Sequence, residues 1–189
     1  MGKLIYSLSV SLDGYAESSS HSLDWATIDH ELHSFFNDQS RGMTASLYGR
    51  RMYELMFGYW PTAAEDPDAA PAEVEFAGIW KGIPRIVFSK TLNDVDAGSR
   101  LVRSDPVEEV ARLKLEPGDM DVGGPTLAST LMRAGLIDEY RLFVHPIILG
   151  AGTPFFTALE AHVPLKLLET RTFGSGVVYL RYETVGMNA

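Results

Sequence analysis

The stretch DVGGPTLASTLMRAGLIDEYRLFVHPIILG, Asp121 to Gly150, decides the fold. A short strand, Met120 to Val122, runs into the paired glycines Gly123 and Gly124. Thr126 to Ala134 follows with helical spacing until Gly135 ends it. Glu139 to Leu149 alternates over part of its length and then turns wholly apolar, which reads as the next strand. Downstream, Leu165 to Thr172 and Val177 to Thr184 flank Phe173-Gly174-Ser175-Gly176, a hairpin signal. Upstream, strands predicted at Lys3 to Val10, Ala45 to Tyr48 and Arg85 to Phe88 alternate with helices at Asp29 to Asp38, Arg50 to Met56 and Pro106 to Leu113. The sum is an α/β fold: a mixed sheet with helices on both faces and an antiparallel end.

The length of 189 residues suits one domain over 1–189. One segment breaks the pattern. PTAAEDPDAAP, Pro61 to Pro71, is rich in Ala, Pro and acid and is expected to be an exposed loop insertion. No window reaches the roughly 18 apolar residues of a membrane span. A net charge of −9 opposes general nucleic-acid binding, which needs a basic surface. The absence of cysteine excludes disulfides, thiolate metal sites and a Cys nucleophile, and fits a cytoplasmic location. The five histidines show no metal-binding spacing, so no metal is expected.

Chemistry is expected where strands end. At Gly123-Gly124 free N–H groups of a helix start, and glycines that admit close approach, suit a pyrophosphate; the bland alternative is a tight turn. LYGRRMYE, Leu47 to Glu54, repeats the strand–Gly–helix pattern with Arg50 and Arg51 in the lead, either phosphate-binding forks or solvated surface. IVFSKTL, Ile86 to Leu92, ends a buried strand in Ser89, Lys90 and Thr91. Three such junctions together suit a dinucleotide carrying an extra phosphate. Gly123 and Gly124 would take the pyrophosphate, and Arg50 or Arg51 with Ser89, Lys90 and Thr91 the 2′-phosphate that marks NADP.

In order along the chain, SLDGYA, LYGRRMYE, FSKTL and Asp121 to Phe156 resemble the RibD C-terminal family within the dihydrofolate-reductase-like superfamily. The resemblance implies a three-layer αβα sandwich that binds NADPH and passes hydride to a small heterocyclic or ribosyl-linked metabolite. The model activity is 5-amino-6-(5-phosphoribosylamino)uracil reductase of riboflavin biosynthesis. Carried over by position, Gly123 and Gly124, often joined by a cis peptide in the family, meet the diphosphate. Pro125, Thr126 and Leu127 match the helix start, Gly49 and Arg50 the adenosine end, and Ser89, Lys90 and Thr91 the 2′-phosphate loop. Asp13, Gly14 and Ala16 match the loop beside the nicotinamide. Met52 stands where many dihydrofolate reductases have Thr. Val144 aligns with the strand position near the pterin, where they commonly have Thr. Without cysteine the chain has no zinc deaminase and is at most the reductase half.

A reductase also needs a proton source. Asp29 is the first candidate, with Asp24 and Glu31 behind it; the structural alternative is that Asp24 and Asp29 serve the helix start. Asp13, Asp24, Trp25 and Val144 are the expected substrate contacts, with core packing the competing role for Trp25. Dihydrofolate reductase is the alternative activity, and a non-catalytic NADP(H)-binding protein the alternative class. The apolar run Val144 to Leu149 and GAGTPFF suggest a homodimer.

Overall fold

The computed structural model describes residues 1–186. Its strands are β1 (Leu4–Ser11), β2 (Tyr15–Ser18), β3 (Met43–Gly49), β4 (Arg85–Phe88), β5 (Ser99–Val102), β6 (Asp119–Gly123), β7 (Glu139–His145), β8 (Gly152–Pro154), β9 (Leu165–Thr172) and β10 (Val178–Thr184). The helices are α1 (His30–Arg41), α2 (Arg50–Tyr59), α3 (Pro71–Gly82), α4 (Pro106–Leu113) and α5 (Pro125–Arg133). Eight strands form one sheet in the order β5-β4-β3-β6-β1-β7-β10-β9. The six from β5 to β7 pair in parallel, and β10 and β9 add antiparallel. β2 and β8 make a separate two-stranded ribbon. The expected mixed sheet with an antiparallel end is therefore present.

Strand alternation divides the sheet into two faces. One buries Leu4, Tyr6, Leu47, Ile86, Val122 and Tyr140 under Val110 of α4 and Leu127, Ala128 and Leu131 of α5. The other carries Phe143 and Tyr179, which pack with Leu32, Phe35 and Phe36 of α1. On that face Tyr48 and Val87 meet Met52 and Tyr53 of α2. Asn37 of α1 donates to Ala72 O at 2.9 Å and ties α3 to the same layer.

As expected, most of 61–71 is exposed and outside the helices and strands, although the chain makes a 3-10 turn at Ala63–Glu65 with Ala63 buried, and Pro71 opens α3 rather than closing the loop. The signals were local: Pro at the first helical position, and Glu73 accepting the Ala70 N–H at 2.8 Å. β7 stops at His145, short of Leu149, because Pro146 has no N–H to continue the ladder.

Candidate cofactor cleft and substrate cavity

The parallel strands deliver their carboxyl ends to one edge of the sheet. Tyr48 pairs with Gly123, Gly49 with Phe88, and Phe88 with Val102. The glycine pair, the Arg50 turn and the Ser89 loop thus sit side by side, although they are remote in sequence. α1 and α4 have Asp29 and Asp105 as side-chain caps, whereas α2 and α5 start on Gly49 and Gly124 with none. Their first N–H groups remain available at this edge. Gly124 has φ of +91°, and a Cβ there would lie 3.3 Å from Met52 Cβ. A Cβ on Gly123 would lie 2.8 Å from the Tyr48 ring, which cannot yield because it is buried.

A cleft of about 920 Å³ runs along this edge. Ala16, Gly49, Arg50, Arg51, Ser89, Lys90, Gly123, Gly124, Pro125, Thr126 and Leu127 all line it. Arg50 donates to Thr91 Oγ1 at 3.0 Å and, through Nε, to Glu54 at 2.8 Å. Thr91 thereby joins the group without itself lining the cleft. Arg103 and Ser104 line the same end. They escape a reading of the sequence because β5, the strand that delivers them, is SRLV, half polar and mostly exposed or half-buried, unlike the apolar run of β4. Arg103 is held in place by donating to Leu92 O at 2.6 Å. In a chain of net charge −9, Arg50, Lys90 and Arg103 collect at one end of one cleft.

Arg51 is committed elsewhere. It forms a two-pronged ion pair with Glu17, one arm at 2.9 Å, beside His21. Burial by itself would raise the Glu17 pKa, but hydrogen bonds from Arg51, Thr153 and His21 outweigh it and bring it to about 2. Arg51 therefore clasps the β2 loop to the start of α2. Gly14, with φ of +90°, and Asp13 do not line the cleft. Asp13 accepts from Ser11 Oγ, Leu149 N and Gly150 N at 2.7, 3.0 and 2.7 Å, and so pins two loops together.

A second cavity of about 530 Å³ opens beneath α1, α2 and α3. Leu8, Ala16, Leu23, Met52, Leu55 and Gly123 line both spaces, so the two meet at this neck. The floor is polar: Ser7, Ser46, Asp121 and Arg141. The walls are apolar and aromatic, including Phe36, Trp60, Phe76 and Phe143. Asp121 lies deep in the molecule yet faces this space, and Ser46 Oγ donates to it at 2.6 Å. Burial pushes the Asp121 pKa up to about 6, against the Ser46 hydrogen bond and the Arg141 charge. Arg141 is aimed by Glu139, at 2.6 Å from Nε, and by Gln39, at 2.5 Å from Nη1. Trp80 Nε1 and His33 Nδ1 are buried along the wall without a hydrogen-bond partner.

Because its folded pKa is raised, Asp121 binds a proton more tightly in the native state. Its cost to stability is absent in acid and grows as pH rises from the usual aspartate range through about 6. Asp121→Asn should thus be more stable than the parent by about 2 kcal/mol near pH 8. The difference should close below about pH 4, as read by urea unfolding at both pH values.

Several expected site residues lie elsewhere. Asp29 is the cap of α1: its carboxylate accepts the Leu32 N–H at 2.8 Å and lines neither cavity. Glu31 pairs with Arg171 at 2.8 Å, also away from both. Asp24 lines the larger cleft rather than the second cavity. Trp25 lines neither; it donates to Ser22 O at 3.1 Å and packs edge-on against His145. Val144 packs into the α4/α5 face, on the wrong side of the sheet, and its neighbour Phe143 lines the cavity. A slip of one residue reverses the face. Among the described residues no peptide bond is cis, the one joining Gly123 to Gly124 included.

A sheet with this strand order, a glycine-rich edge and an adjoining cavity defines a dihydrofolate-reductase-like protein. The model of the RibD C-terminal domain matches residues 2–179, and the chain belongs to that family. An uncharacterized protein of Bacillus subtilis (strain 168), YyaP, is 36% identical over 187 residues, covering 97% of this chain and 96% of its own. The crystal structure of a putative riboflavin biosynthesis protein from Shewanella sp. PV-4 superposes with a TM-score of 0.76 at 21% identity, covering 98% of this chain and 100% of the other. Dihydrofolate reductase from Enterococcus faecalis, solved with NADP(H), gives a TM-score of 0.64 at 18% identity, covering 98% of each chain.

Proposed function

We propose that this chain is a cytoplasmic NADPH-dependent reductase that passes hydride to a small heterocyclic or ribosyl-linked metabolite, as in the pyrimidine-reduction step of riboflavin biosynthesis. One observation carries the reading: a long cleft with a cationic end joins, at Gly123 and Met52, a smaller cavity with a polar floor. A dinucleotide fits the first and a planar acceptor the second. Bound NADPH would supply the hydride. The chain's own part is placement. Gly123 and Gly124 with the α5 N–H groups would hold the diphosphate. Arg50, Ser89 and Lys90 would hold the 2′-phosphate, with Thr91 bracing Arg50 from behind, and Ala16 at the neck would border the nicotinamide.

NADPH should raise the thermal midpoint of the protein, since ligand that binds only the native state stabilises it. Arg50→Ala should weaken NADPH by about tenfold and leave NADH within about twofold, because a hydrogen bond to a charged group contributes about 1.5 kcal/mol or more. Equal loss for both nucleotides in titration calorimetry would remove Arg50 from the 2′-phosphate. NADPH oxidation is then assayed against a panel of cyclic imines, conjugated carbonyls, ribosylaminopyrimidines and dihydrofolate. Turnover of dihydrofolate alone would shift the assignment to dihydrofolate reductase. Binding without turnover of any member would mark a non-catalytic NADP(H)-binding protein.

A homodimer is part of the proposal. β9 is a free sheet edge, with Leu165, Leu167 and Leu168 exposed, and Ile148 and Phe156 are exposed as well. Light scattering should give twice the chain mass; a monomer at micromolar concentration would refute it.

A further inference from the structure

We infer that Asp121 is the proton donor of the reduction, delivering its carboxyl proton to the substrate heteroatom across the floor of the smaller cavity. The inference rests on the reductase reading above and names the acid which that reading leaves open. Three observations support it. Asp121 lines the cavity that meets the cofactor cleft, and it lies two residues before Gly123, the glycine common to both spaces. Ser46 Oγ donates to one carboxyl oxygen, Oδ1, at 2.6 Å, and among the described residues no other side chain donates to the carboxyl group. Among carboxylates of the described residues, Asp121 alone lines the smaller cavity.

The groups that face it favour an acid which keeps its proton near neutrality. β3 contributes Ser46 and Tyr48, β1 Ser7, and β7 Arg141. α1 contributes His33, α2 Tyr59, and α3 only Trp80 and other apolar residues. Arg141 is the one permanent charge among them, and Glu139, at 2.6 Å, offsets part of it while also pairing with Arg181. Burial therefore governs, and the carboxyl is held up to about 6.

The step balances as follows. Hydride carries two electrons to the carbon of a C=N or C=O bond. The π electrons move to the nitrogen or oxygen, which takes the proton from Asp121. The acceptor becomes an amine or alcohol, NADPH becomes NADP⁺, and the Asp121 carboxylate is reprotonated from solvent. The substrate class is then a double bond ending on a basic heteroatom.

The test joins a titration to kinetics on the whole protein. The Cγ resonance of Asp121, assigned by its loss in Asp121→Asn, is followed against pH by ¹³C NMR with NADPH bound. A midpoint between about 5.5 and 7 is expected. A midpoint at or below about 4 overturns the inference, because no proton would then be available at neutral pH. With any panel member the wild type turns over, Asp121→Asn should lower kcat at least about 100-fold. NADPH affinity should stay within twofold, and wild-type kcat should fall above the measured midpoint. Retained kcat in the variant overturns the inference alone and leaves the reductase standing. A wild type that binds no NADPH, or oxidises it with no member of the panel, brings down the reductase reading and the inference with it.

Discussion

Glu139→Ala should lower the stability of the protein by about 3–5 kcal/mol, the cost of leaving the buried Arg141 guanidinium without its partner. Glu139 is completely buried, and it accepts from Arg141 Nε at 2.6 Å and from Arg181 at 2.8 and 3.0 Å. Burial would raise its pKa, but the hydrogen bonds and charges of Arg181 and Arg141 win and hold it below the ordinary glutamate range. With a depressed folded pKa, its contribution is present above the unfolded value and is lost as pH falls through the folded one. The penalty in the alanine variant should therefore shrink in acid. Urea unfolding at pH 7 and pH 3 measures both, through the midpoint at unchanged slope. A loss under about 1 kcal/mol at pH 7 would mean that water reaches the pair.

The second large effect is expected at Gly124. Its φ of +91° belongs to a region that side chains rarely adopt, so Gly124→Ala should cost about 1–3 kcal/mol through backbone strain. The new methyl would also stand 3.3 Å from Met52 Cβ, at the approach to the α5 N–H groups. NADPH affinity should fall by about 30- to 100-fold, the equivalent of one or two charge-assisted hydrogen bonds. Calorimetric titration checks the affinity, and circular dichroism checks separately that the variant is folded. Undiminished binding by a folded variant would take the diphosphate away from this turn.

How much of the site was legible depended on the range of the interaction. Gly49, Arg50, Ser89, Lys90, Gly123 and Gly124 were readable because each sits at a strand end marked by its own neighbours, and all line the cleft. Arg103 and Ser104 were not, since β5 (SRLV) lacks the apolar run that marks the equally short β4 (RIVF). α3 was missed because PAEVEFAGIWKG is apolar on more than one side, and Trp80 and Phe76 are called for by the cavity rather than by a helical stripe. Asp29 illustrates the reverse failure. Its type and place before a helix suit both a cap and an acid, and the Leu32 N–H took it.

The amino-acid sequence by itself determined most of the strands and helices, the glycine and proline punctuation between them, and the chemistry carried at three of the strand ends, because these depend on residues a few positions apart. Only the tertiary structure decided that β6 lies between β3 and β1. That placement sets Asp121 beside Ser46 and puts Gly123 against Tyr48. It also decided that Phe143 and not Val144 faces the cavity. The physical reason is pairing. A strand's local sequence says which residues share a face, but the register and neighbours it acquires, through hydrogen bonds to segments more than a hundred residues away, say what that face looks upon.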